Sequence, residues 1–363
     1  VERRRSREIF LGTHDAGDGG GMASLRLGVI PAVGSGLASM AQTGQLDRLF
    51  VHLGYYTDEF EVTYFTWGDW FEEQRFWRSF YEQTGARLVP LRGWGLSRVL
   101  QLCDVLRPMN LLGTIPALYA KARWGIPFVM SYGADYVRIA EIHGRPMWKW
   151  KALRAVALRR ASRVLVSNQR LAEQVQAQFP SASITHHPNW VDGDRFAPDD
   201  RPRPGFPRKV LYVGRLVKEK NLRVLAEAVA TLPETRLVCV CAGPEREALT
   251  QLKAECVGSQ PWTSLPHWYH QADVFALPSL SEGHPKALTE AMACGLPCLV
   301  SKAVTEGGDA VWRTAEFAAG IQGLFDENLA RHFGQAARSY AMKYWDVKVR
   351  MPKEIEYLTA AAR

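Results

Sequence analysis

Short apolar runs alternate with amphipathic segments along most of the chain. In the first half, the pattern predicts strands at 25–30, 61–67, 86–91, 126–133, 163–168 and 183–189, and helices at 71–84, 113–124 and 147–162. In the second half, it predicts strands at 209–214, 235–243, 272–279 and 296–301, and helices at 221–231, 244–255 and 285–294. Alternating strands and helices are typical of parallel sheets covered by helices on both faces.

A charged stretch with five prolines, residues 188–208, separates the two series. Because proline fixes φ and cannot continue a sheet ladder, this stretch is predicted to be a stiff linker. The predicted fold class is α/β, with two tandem doubly wound (Rossmann-like) domains, 22–187 and 209–340, facing each other across a cleft. Residues 341–363 are expected to form a helix that packs back on the N-terminal domain, and residues 1–21 a disordered N-terminal extension.

The composition agrees with two ordinary globular domains. The 363 residues are 47% hydrophobic and 23% charged, which excludes a disordered or fibrous chain. No run of about eighteen apolar residues and no secretory signal is present, so the predicted location is cytoplasmic, with peripheral attachment to the inner face of the plasma membrane as an option. The net charge of +8 favours anionic partners. No nucleic-acid-binding module is visible, so nucleic acid is not expected.

The strongest chemical signal is the segment LPSLSEGHPKALTEAMACGLPCLVS, 277–301. Glu282 lies in the loop after a predicted buried strand, and Glu290 lies eight residues later on the helix that Pro285 begins. The amides of Gly283 and His284 sit at the positive start of that helix. Two carboxylates beside such a start suit a ligand with hydroxyls at both ends and phosphates between them. Solvated surface is the alternative for either glutamate alone.

A second signal is YVGRLVKEKNL, 212–222. Arg215 and Lys220 lie in the loop between a strand and a helix, where cations can hold phosphate oxygens. A generic solvated basic loop is the alternative reading. The two segments together predict a site for a phosphate-linked, hydroxyl-rich ligand.

Two weaker signals lie elsewhere. The glycine-rich PAVGSGLAS, 31–39, follows the first strand but lacks both the dinucleotide and the P-loop patterns. The one D-x-D string, 192–194, lies in the linker, where turn formation and helix capping are favoured over metal binding.

At these residues the chain resembles the family 4 retaining glycosyltransferases of the GT-B fold, over roughly residues 22–350. GRLVKEKN matches the family's G-R-L-x-x-x-K-[GN], and EGHPKALTE matches its E-x7-E motif. The resemblance implies that Arg215 and Lys220 hold a donor diphosphate, that Glu282 faces the transferred sugar, and that Glu290 binds ribose hydroxyls. Arg215, Lys220 and Glu282 are then the expected catalytic residues. The other implied donor-binding positions are Gly34, Gly36, Tyr132, Asp135, Gly258, Gly283, His284, Pro285 and Lys286.

The chain departs from the family pattern in two places. In SYGADY, 131–136, Gly133 and Asp135 match the family's H-G-x-D segment, but Tyr132 stands where the histidine is expected. A phenol can hydrogen-bond a hydroxyl but cannot carry the positive charge of an imidazole. The stretch after Ser301 is short, and the family's strand and glycine turn are not evident there, so one wall of the donor site is expected to be trimmed.

The function implied by the resemblance is transfer of a hexose-type sugar, with retention, from a nucleotide-diphosphate donor to a glycan, lipid-linked or small-molecule acceptor. Arg215 and Lys220 would take the place of a metal ion, so no metal and no cofactor are expected. The alternatives are a non-catalytic sugar-nucleotide-binding or scaffold protein of the same fold, and another GT-B enzyme such as an epimerase or a phosphorylase.

A basic segment with tryptophans, 145–163, suggests a surface for an anionic membrane. Trp148 and Trp150 are interspersed there with lysines and arginines. In the alternative, Leu153, Val156 and Ala157 form a buried stripe and the basic side is simply solvated.

Overall fold

The structure is a computed structural model that describes residues 24–33, 36–68, 70–91, 96–133, 135–137, 141, 144, 146–199 and 206–363. The expected N-terminal extension, 1–21, and Gly34 lie outside the described residues.

The N-terminal domain is built on parallel strands. These are β1 (Arg26–Ile30), β2 (Glu61–Thr66), β3 (Arg87–Pro90), β4 (Val105–Pro108), β5 (Val129–Tyr132), β6 (Arg163–Val166) and β7 (Ile184–His186). They pair in the orders β3-β2-β1-β4 and β5-β6-β7, and a parallel bridge between Leu106 and Phe128 joins the two sets. This order reverses between β1 and β4, as in a doubly wound sheet.

The C-terminal domain repeats the arrangement. Its strands are β8 (Arg208–Val213), β9 (Thr235–Val240), β10 (Glu255–Gly258), β11 (Val274–Leu277), β12 (Cys298–Ser301) and β13 (Trp312–Thr314). They pair in parallel in the order β10-β9-β8-β11-β12-β13. The strand order of the sheet therefore reverses between β8 and β11.

Helices connect the strands of both sheets. They are α1 (Leu37–Gln42), α2 (Leu46–Thr57), α3 (Trp70–Glu73), α4 (Trp77–Thr84), α5 (Leu96–Leu100), α6 (Thr114–Trp124), α7 (Met147–Arg160), α8 (Gln169–Gln178), α9 (Leu222–Ala230), α10 (Arg246–Gln251), α11 (Leu265–His270), α12 (Lys286–Ala293), α13 (Phe317–Gly323), α14 (Glu327–Tyr344) and α15 (Val347–Ala362). No helix in the described part of the chain has the length and apolar character needed to cross a membrane.

The predicted fold class, two doubly wound α/β domains, is confirmed. Three strands were not predicted: β4, β10 and β13. The expectation that the region after Ser301 lacks its strand and glycine turn is wrong, since β13 pairs with β12, and Gly307 and Gly308 have positive φ. The three residues of β13 are only half-buried and are too few to give a recognisable apolar period.

Two predicted helices differ from the structure. The helix predicted at 71–84 is interrupted between α3 and α4, and the one predicted at 244–255 ends at Gln251. Residues 255–258 continue instead as β10, with their pairing to β9 shifted by a bulge before Gly258.

The predicted linker is packed over most of its described length. Trp190, Val191 and Phe196 are buried, and Phe196 contacts the rings of Trp262 and Tyr269 in the C-terminal domain. Residues 188–199 therefore form part of a core, and residues 200–205 lie outside the described residues.

The D-x-D string forms a turn within this segment. Asp192 Oδ1 accepts hydrogen bonds from the backbone amides of Asp194, at 3.1 Å, and Arg195, at 3.0 Å. This is the local use of aspartate that favours turns.

The C-terminal helix α15 packs against β4 and β5 of the N-terminal domain. Its Glu354 is almost fully buried and is paired with Arg107 Nε at 2.7 Å and His187 Nε2 at 2.9 Å, and Tyr56 donates to it. Burial alone would raise the pKa of Glu354, but Arg107 and His187 hold it well below its usual value. The last helix is thus fixed to the first domain by a buried ionic cluster.

Removing this carboxylate is expected to destabilise the protein strongly. Glu354→Ala leaves Arg107 buried without its partner, a change that costs about 3–5 kcal/mol in other proteins. Glu356→Ala, at an exposed position of the same helix, serves as the control. Chemical denaturation measures both free energies of unfolding.

The same measurement repeated at lower pH tests the cause. Because the pKa of Glu354 is depressed, its contribution is complete above the unfolded-state pKa and is lost as the pH falls toward the folded-state value. Equal stabilities of the two variants would contradict this account of the cluster.

Candidate functional site

The candidate site lies at the carboxyl ends of the neighbouring strands β8 and β11. The loops that follow these neighbouring strands, 214–221 and 278–285, leave from their carboxyl ends at the reversal point of the sheet, where open α/β sheets bind ligands. The two loops are hydrogen-bonded to each other. The amide of Leu280 donates to the Glu219 carbonyl at 3.0 Å, and Asn221 Nδ2 donates to the Pro278 carbonyl at 3.4 Å.

Lys220 and Glu282 come together across these loops. Lys220 Nζ lies 2.5 Å from Glu282 Oε1, and Ser279 Oγ donates to the same oxygen at 2.6 Å. The side chains of Lys220 and Glu282 are 17% and 9% exposed. Because an ammonium group has three donors, Lys220 retains donors for an anionic ligand beside this carboxylate.

Arg215 belongs to the same loop. It is exposed, and its carbonyl accepts a hydrogen bond from Tyr212 Oη at 3.1 Å. Burial and the Glu282 carboxylate raise the pKa of Tyr212, while the charge of Arg215 acts in the opposite direction. The charges of Glu282 and Arg215 therefore both act on the Tyr212 hydroxyl.

Glu290 lies about 6 Å along α12 from the first helical residue, Lys286. It is 4% exposed, accepts a hydrogen bond from Tyr269 Oη at 2.9 Å, and is paired with Arg48 Nη1 of the N-terminal domain at 3.4 Å. Burial raises the pKa of Glu290, and Arg48 acts against this shift. Glu290 thus forms a second charged cluster, on the helix that follows the Glu282 loop.

The loop between Glu282 and Glu290 contacts the N-terminal domain and the linker segment. Asn168 Nδ2 donates to the Gly283 carbonyl at 3.0 Å, and Asn189 Nδ2 donates to the His284 carbonyl at 2.8 Å. A Cβ added to Gly283 would lie 2.6 Å from the Gly133 carbonyl oxygen, so the backbone approach requires glycine here.

The imidazole of His284 does not line the cleft. Its side chain is fully buried against Trp345, with ring centroids 4.7 Å apart, and burial lowers the pKa of His284 to about 3. Pro285 beside it is buried, and Lys286 is exposed. His284 therefore contributes to the loop contacts through its backbone carbonyl and not through its ring.

Tyr132 is placed differently from the expectation for the family histidine. Its ring is fully buried in the core of the N-terminal domain beside Tyr136, and burial raises its pKa to about 12. Asp135 lies 3.9 Å from Arg154 on α7. Since side chains alternate along a strand, the last residue of β5 points into the core, and the backbone of Gly133 contacts the Gly283 loop.

The glycine loop after β1 also differs from the expectation. The Leu37 and Ala38 amides at the start of α1 donate to the carboxylate of Glu73, at 3.0 and 3.2 Å. A Cβ added to Gly36 would lie 2.6 Å from Glu73 Oε1. The close approach that Gly36 permits is therefore to the Glu73 side chain, at a position that the resemblance assigned to donor binding.

Gly258 lies at the carboxyl end of the edge strand β10 with a φ of 84°. A Cβ there would lie 3.9 Å from Arg246 Nη1, so space is open but the left-handed backbone favours glycine. Its position, two strands from β8, is at the rim of the candidate site.

Arg48, Asn168 and Glu306 were missed by the sequence analysis. Asn168 Nδ2 lies 2.7 Å from Glu306 Oε1, and burial raises the pKa of Glu306 to about 7. The sequence held one usable signal, because Asn168 ends a predicted strand on the edge that faces the cleft. Arg48 pairs with a residue 242 positions away, which no local pattern reveals.

Comparison with known families matches residues 207–327 to the model described as glycosyl transferases group 1. This range begins at β8 and ends after β13, so it contains both loops of the candidate site and both glutamates.

Two proteins similar to this chain in sequence are named as glycosyltransferases. The putative teichuronic acid biosynthesis glycosyltransferase TuaC of Bacillus subtilis is 31% identical over 204 residues, covering 51% of this chain and 52% of TuaC. The GDP-mannose-dependent alpha-(1-6)-phosphatidylinositol monomannoside mannosyltransferase of Mycolicibacterium smegmatis is 29% identical over 280 residues, covering 64% of this chain and 72% of that protein. This chain thus spans about half the length of TuaC.

Solved structures share the fold. Sucrose-phosphate synthase from Thermosynechococcus elongatus superposes with a TM-score of 0.73 at 16% identity, covering 93% of this chain and 98% of the other. Anabaena HepE in complex with UDP gives a TM-score of 0.72 at 16% identity, covering 93% and 100%. The two-domain GT-B architecture is therefore common to all three chains.

Replacing Asn168 with aspartate is expected to make the docking of the two domains depend on pH, because the side chain of residue 168 contacts Glu306. Asn168→Asp keeps the oxygen that caps α8 through Leu171 but replaces the amide donor with a carboxylate beside Glu306. Above about pH 7, where both acids ionise, the domains should separate and the radius of gyration from small-angle X-ray scattering should rise.

Asn168→Ser is the matched control, because serine also caps helices but adds no charge. It should show no rise in radius of gyration between acidic and alkaline pH. Identical pH profiles for the Asp and Ser variants would contradict the assigned contact.

Proposed function

We propose that this chain, whose residues 207–327 form a glycosyl transferases group 1 domain within a GT-B fold, transfers a hexose from a nucleotide-diphosphate donor to an acceptor hydroxyl with retention of anomeric configuration. The observation that carries the proposal is the pairing of Lys220 with Glu282 at the reversal point of the C-terminal sheet. It joins a phosphate-binding cation to a hydroxyl-binding carboxylate at the place where this fold holds ligands.

The donor would lie along the two charged clusters. Its diphosphate would contact Arg215 and the remaining donors of Lys220, its ribose hydroxyls would be accepted by Glu290, and Glu282 would face the sugar. HepE, which shares the fold, was solved with UDP, in agreement with a nucleotide donor.

The reaction breaks the bond between the anomeric carbon and the diphosphate oxygen and forms a bond from that carbon to the acceptor oxygen on the same face. The acceptor hydroxyl proton passes to the departing diphosphate. Negative charge grows on the leaving group while the sugar gains oxocarbenium character, as in glycoside chemistry. Arg215 and Lys220 stabilise the leaving group as fixed cations, and we propose that no metal ion is needed for this.

The proposed acceptor is a glycan or a lipid-linked glycan. The Bacillus relative is named for teichuronic acid biosynthesis, and the Mycolicibacterium relative for a phosphatidylinositol monomannoside. The second name includes a glycosylated lipid, which supports an acceptor of this class.

One feature favours a second candidate, a sugar-nucleotide-binding protein without turnover. Tyr132 is buried in the N-terminal core, and it occupies the sequence position of the family histidine.

A thermal-shift panel of UDP, GDP, ADP and dTDP sugars identifies the donor, because a ligand that binds only the native state raises its stability. Nucleoside diphosphate release from that donor then separates an enzyme from a binding protein.

We also propose that α7 carries a surface for anionic lipid. Its exposed apolar residues include Trp148, 68% exposed, and Val156, 50% exposed, and Lys149, Lys151, Arg159 and Arg160 are exposed beside them. The neighbouring helix α6 adds the exposed Ile115 and Tyr119. Exposed aromatic and basic side chains on adjoining helices suit the headgroup layer.

Arg215→Ala is expected to lower kcat about 100- to 1,000-fold, the loss seen when a fixed donor to a developing anion is removed elsewhere. Arg223→Ala, which removes an exposed arginine of α9 paired only with Glu227, is the control and should retain wild-type turnover. Nucleoside diphosphate release measures both. Full turnover in Arg215→Ala would refute the assignment of the site.

The membrane surface is tested by vesicle sedimentation with neutral phosphatidylcholine and with added phosphatidylglycerol. Lys149→Gln with Lys151→Gln should reduce partition into anionic vesicles roughly thirtyfold, since each lysine near the surface contributes about 1 kcal/mol. Lys253→Gln with Lys343→Gln removes the same charge from other exposed positions and should have little effect. Binding that does not depend on anionic lipid would overturn the proposal.

A further inference from the structure

Arg48 is the point at which the N-terminal domain reaches the predicted ribose subsite. It lies near the start of α2 and extends toward α12 of the other domain, where Nη1 is 3.4 Å from Glu290 Oε1. Nη2 donates to the Trp190 carbonyl at 3.3 Å, and the guanidinium lies over the Trp190 ring, 5.2 Å from its centroid. Contacts with both the linker segment and the other domain therefore fix its orientation.

The surroundings of Glu290 explain why a cation is needed there. The Glu290 side chain is 5% exposed, and its other close partner, the Tyr269 hydroxyl, is neutral. A buried carboxylate without an opposite charge takes up a proton. Arg48, whose side chain is 13% exposed, supplies that charge from the opposite domain.

A separate contact holds α2 in place for this pairing. The Gly44 carbonyl, just before α2, accepts a hydrogen bond from the Trp262 amide at 2.9 Å. Gly44 has a φ of +65°, and a Cβ there would lie 2.5 Å from Pro261 Cα. The position of Arg48 thus depends on a backbone docking that only glycine permits.

We propose that Arg48 is a positioning residue of the ribose subsite, supplied by the N-terminal domain, which keeps Glu290 ionised as a hydroxyl acceptor when the two domains are docked. The proposal rests on the proposed function, in which Glu290 binds the ribose diol. An ionised carboxylate accepts hydrogen bonds at both oxygens, whereas a protonated one loses part of that capacity. Recognition of the ribose and docking of the domains are thereby linked through one guanidinium.

Other titratable groups around Glu290 carry less charge than Arg48. Lys286 lies one turn earlier on α12, and the charge of Arg48 is the main cause that lowers its pKa to about 7, so Lys286 is only partly charged while Arg48 is present. His52, one turn after Arg48 on α2, has its pKa lowered to about 4 by burial and so is neutral. Tyr269 on α11 has its pKa raised by burial and carries no charge. Arg48 is the permanent cation in contact with the carboxylate.

The test is the preference of the full-length chain for a ribonucleoside diphosphate over its 2′-deoxy counterpart, measured by calorimetry from about pH 6 to about pH 9. Wild type should prefer the ribonucleotide at every pH. In Arg48→Gln the preference should fall roughly tenfold at neutral pH, since charged hydrogen bonds are about twice as strong as neutral ones. In this variant the preference should increase with pH, because burial raises the pKa of Glu290 and Arg48 no longer opposes that shift. Arg48→Lys should keep the preference.

Gly44→Ala offers an independent route to the same result. It leaves every side chain of the subsite intact but displaces α2, so its preference should fall as in Arg48→Gln. Gly125→Ala is the matched control, because Gly125 has a similar φ of +76° with open space around its Cβ position. This control should behave as wild type.

Three results would overturn the inference. An unchanged ribose preference in Arg48→Gln at every pH would show that Glu290 does not depend on Arg48. Tighter binding of both nucleotides with an unchanged ratio would show that Arg48 only competes for the site. If wild type binds no nucleoside diphosphate, the proposed function itself fails, and that failure is visible before any variant is made.

Discussion

The reversal of strand order between the parallel strands β8 and β11 is the constraint on which the candidate site depends. Because the connections after these two strands go to opposite faces of the sheet, a crevice opens at their carboxyl ends. The Lys220 loop and the Glu282 loop both enter that crevice, and hydrogen bonds from Leu280 and Asn221 tie them together. A cation and a carboxylate from distant parts of the sequence are therefore neighbours before any ligand is considered.

The need to pair buried charges explains how distant segments of the chain are positioned. Glu282, Glu290 and Glu354 are each largely removed from water, and each is paired with a cation: Lys220, Arg48 and Arg107. A buried charge is tolerated only where such a partner is present. Two of these pairs, Arg48–Glu290 and Arg107–Glu354, join segments more than 240 residues apart, so the same requirement that stabilises each charge also sets the positions of distant segments.

The sequence predicted the parts of the fold that have strong local periodicity, and both loops of the site, because strand, polar loop and proline-started helix follow in order. It missed β4, whose four residues include the buried Arg107, since a charged core residue contradicts an apolar strand pattern. The prediction for Tyr132 was wrong because the family pattern gives only a position in the sequence. The direction of the ring is set by the alternation of side chains at the end of β5, which places it in the core. Arg48 and Asn168 act through contacts between domains, which local patterns do not encode.

Several of the contacts between the domains are polar. Asn168 on Gly283 and Glu306, Gly44 on Trp262, and Arg48 on Glu290 are hydrogen bonds or ion pairs, and they lie beside an apolar cluster to which both domains contribute. The α15 helix, by contrast, is anchored on the N-terminal domain through the buried Glu354. The two domains are thus joined both by the buried ionic cluster around Glu354 and by polar contacts that bring Arg48 to Glu290.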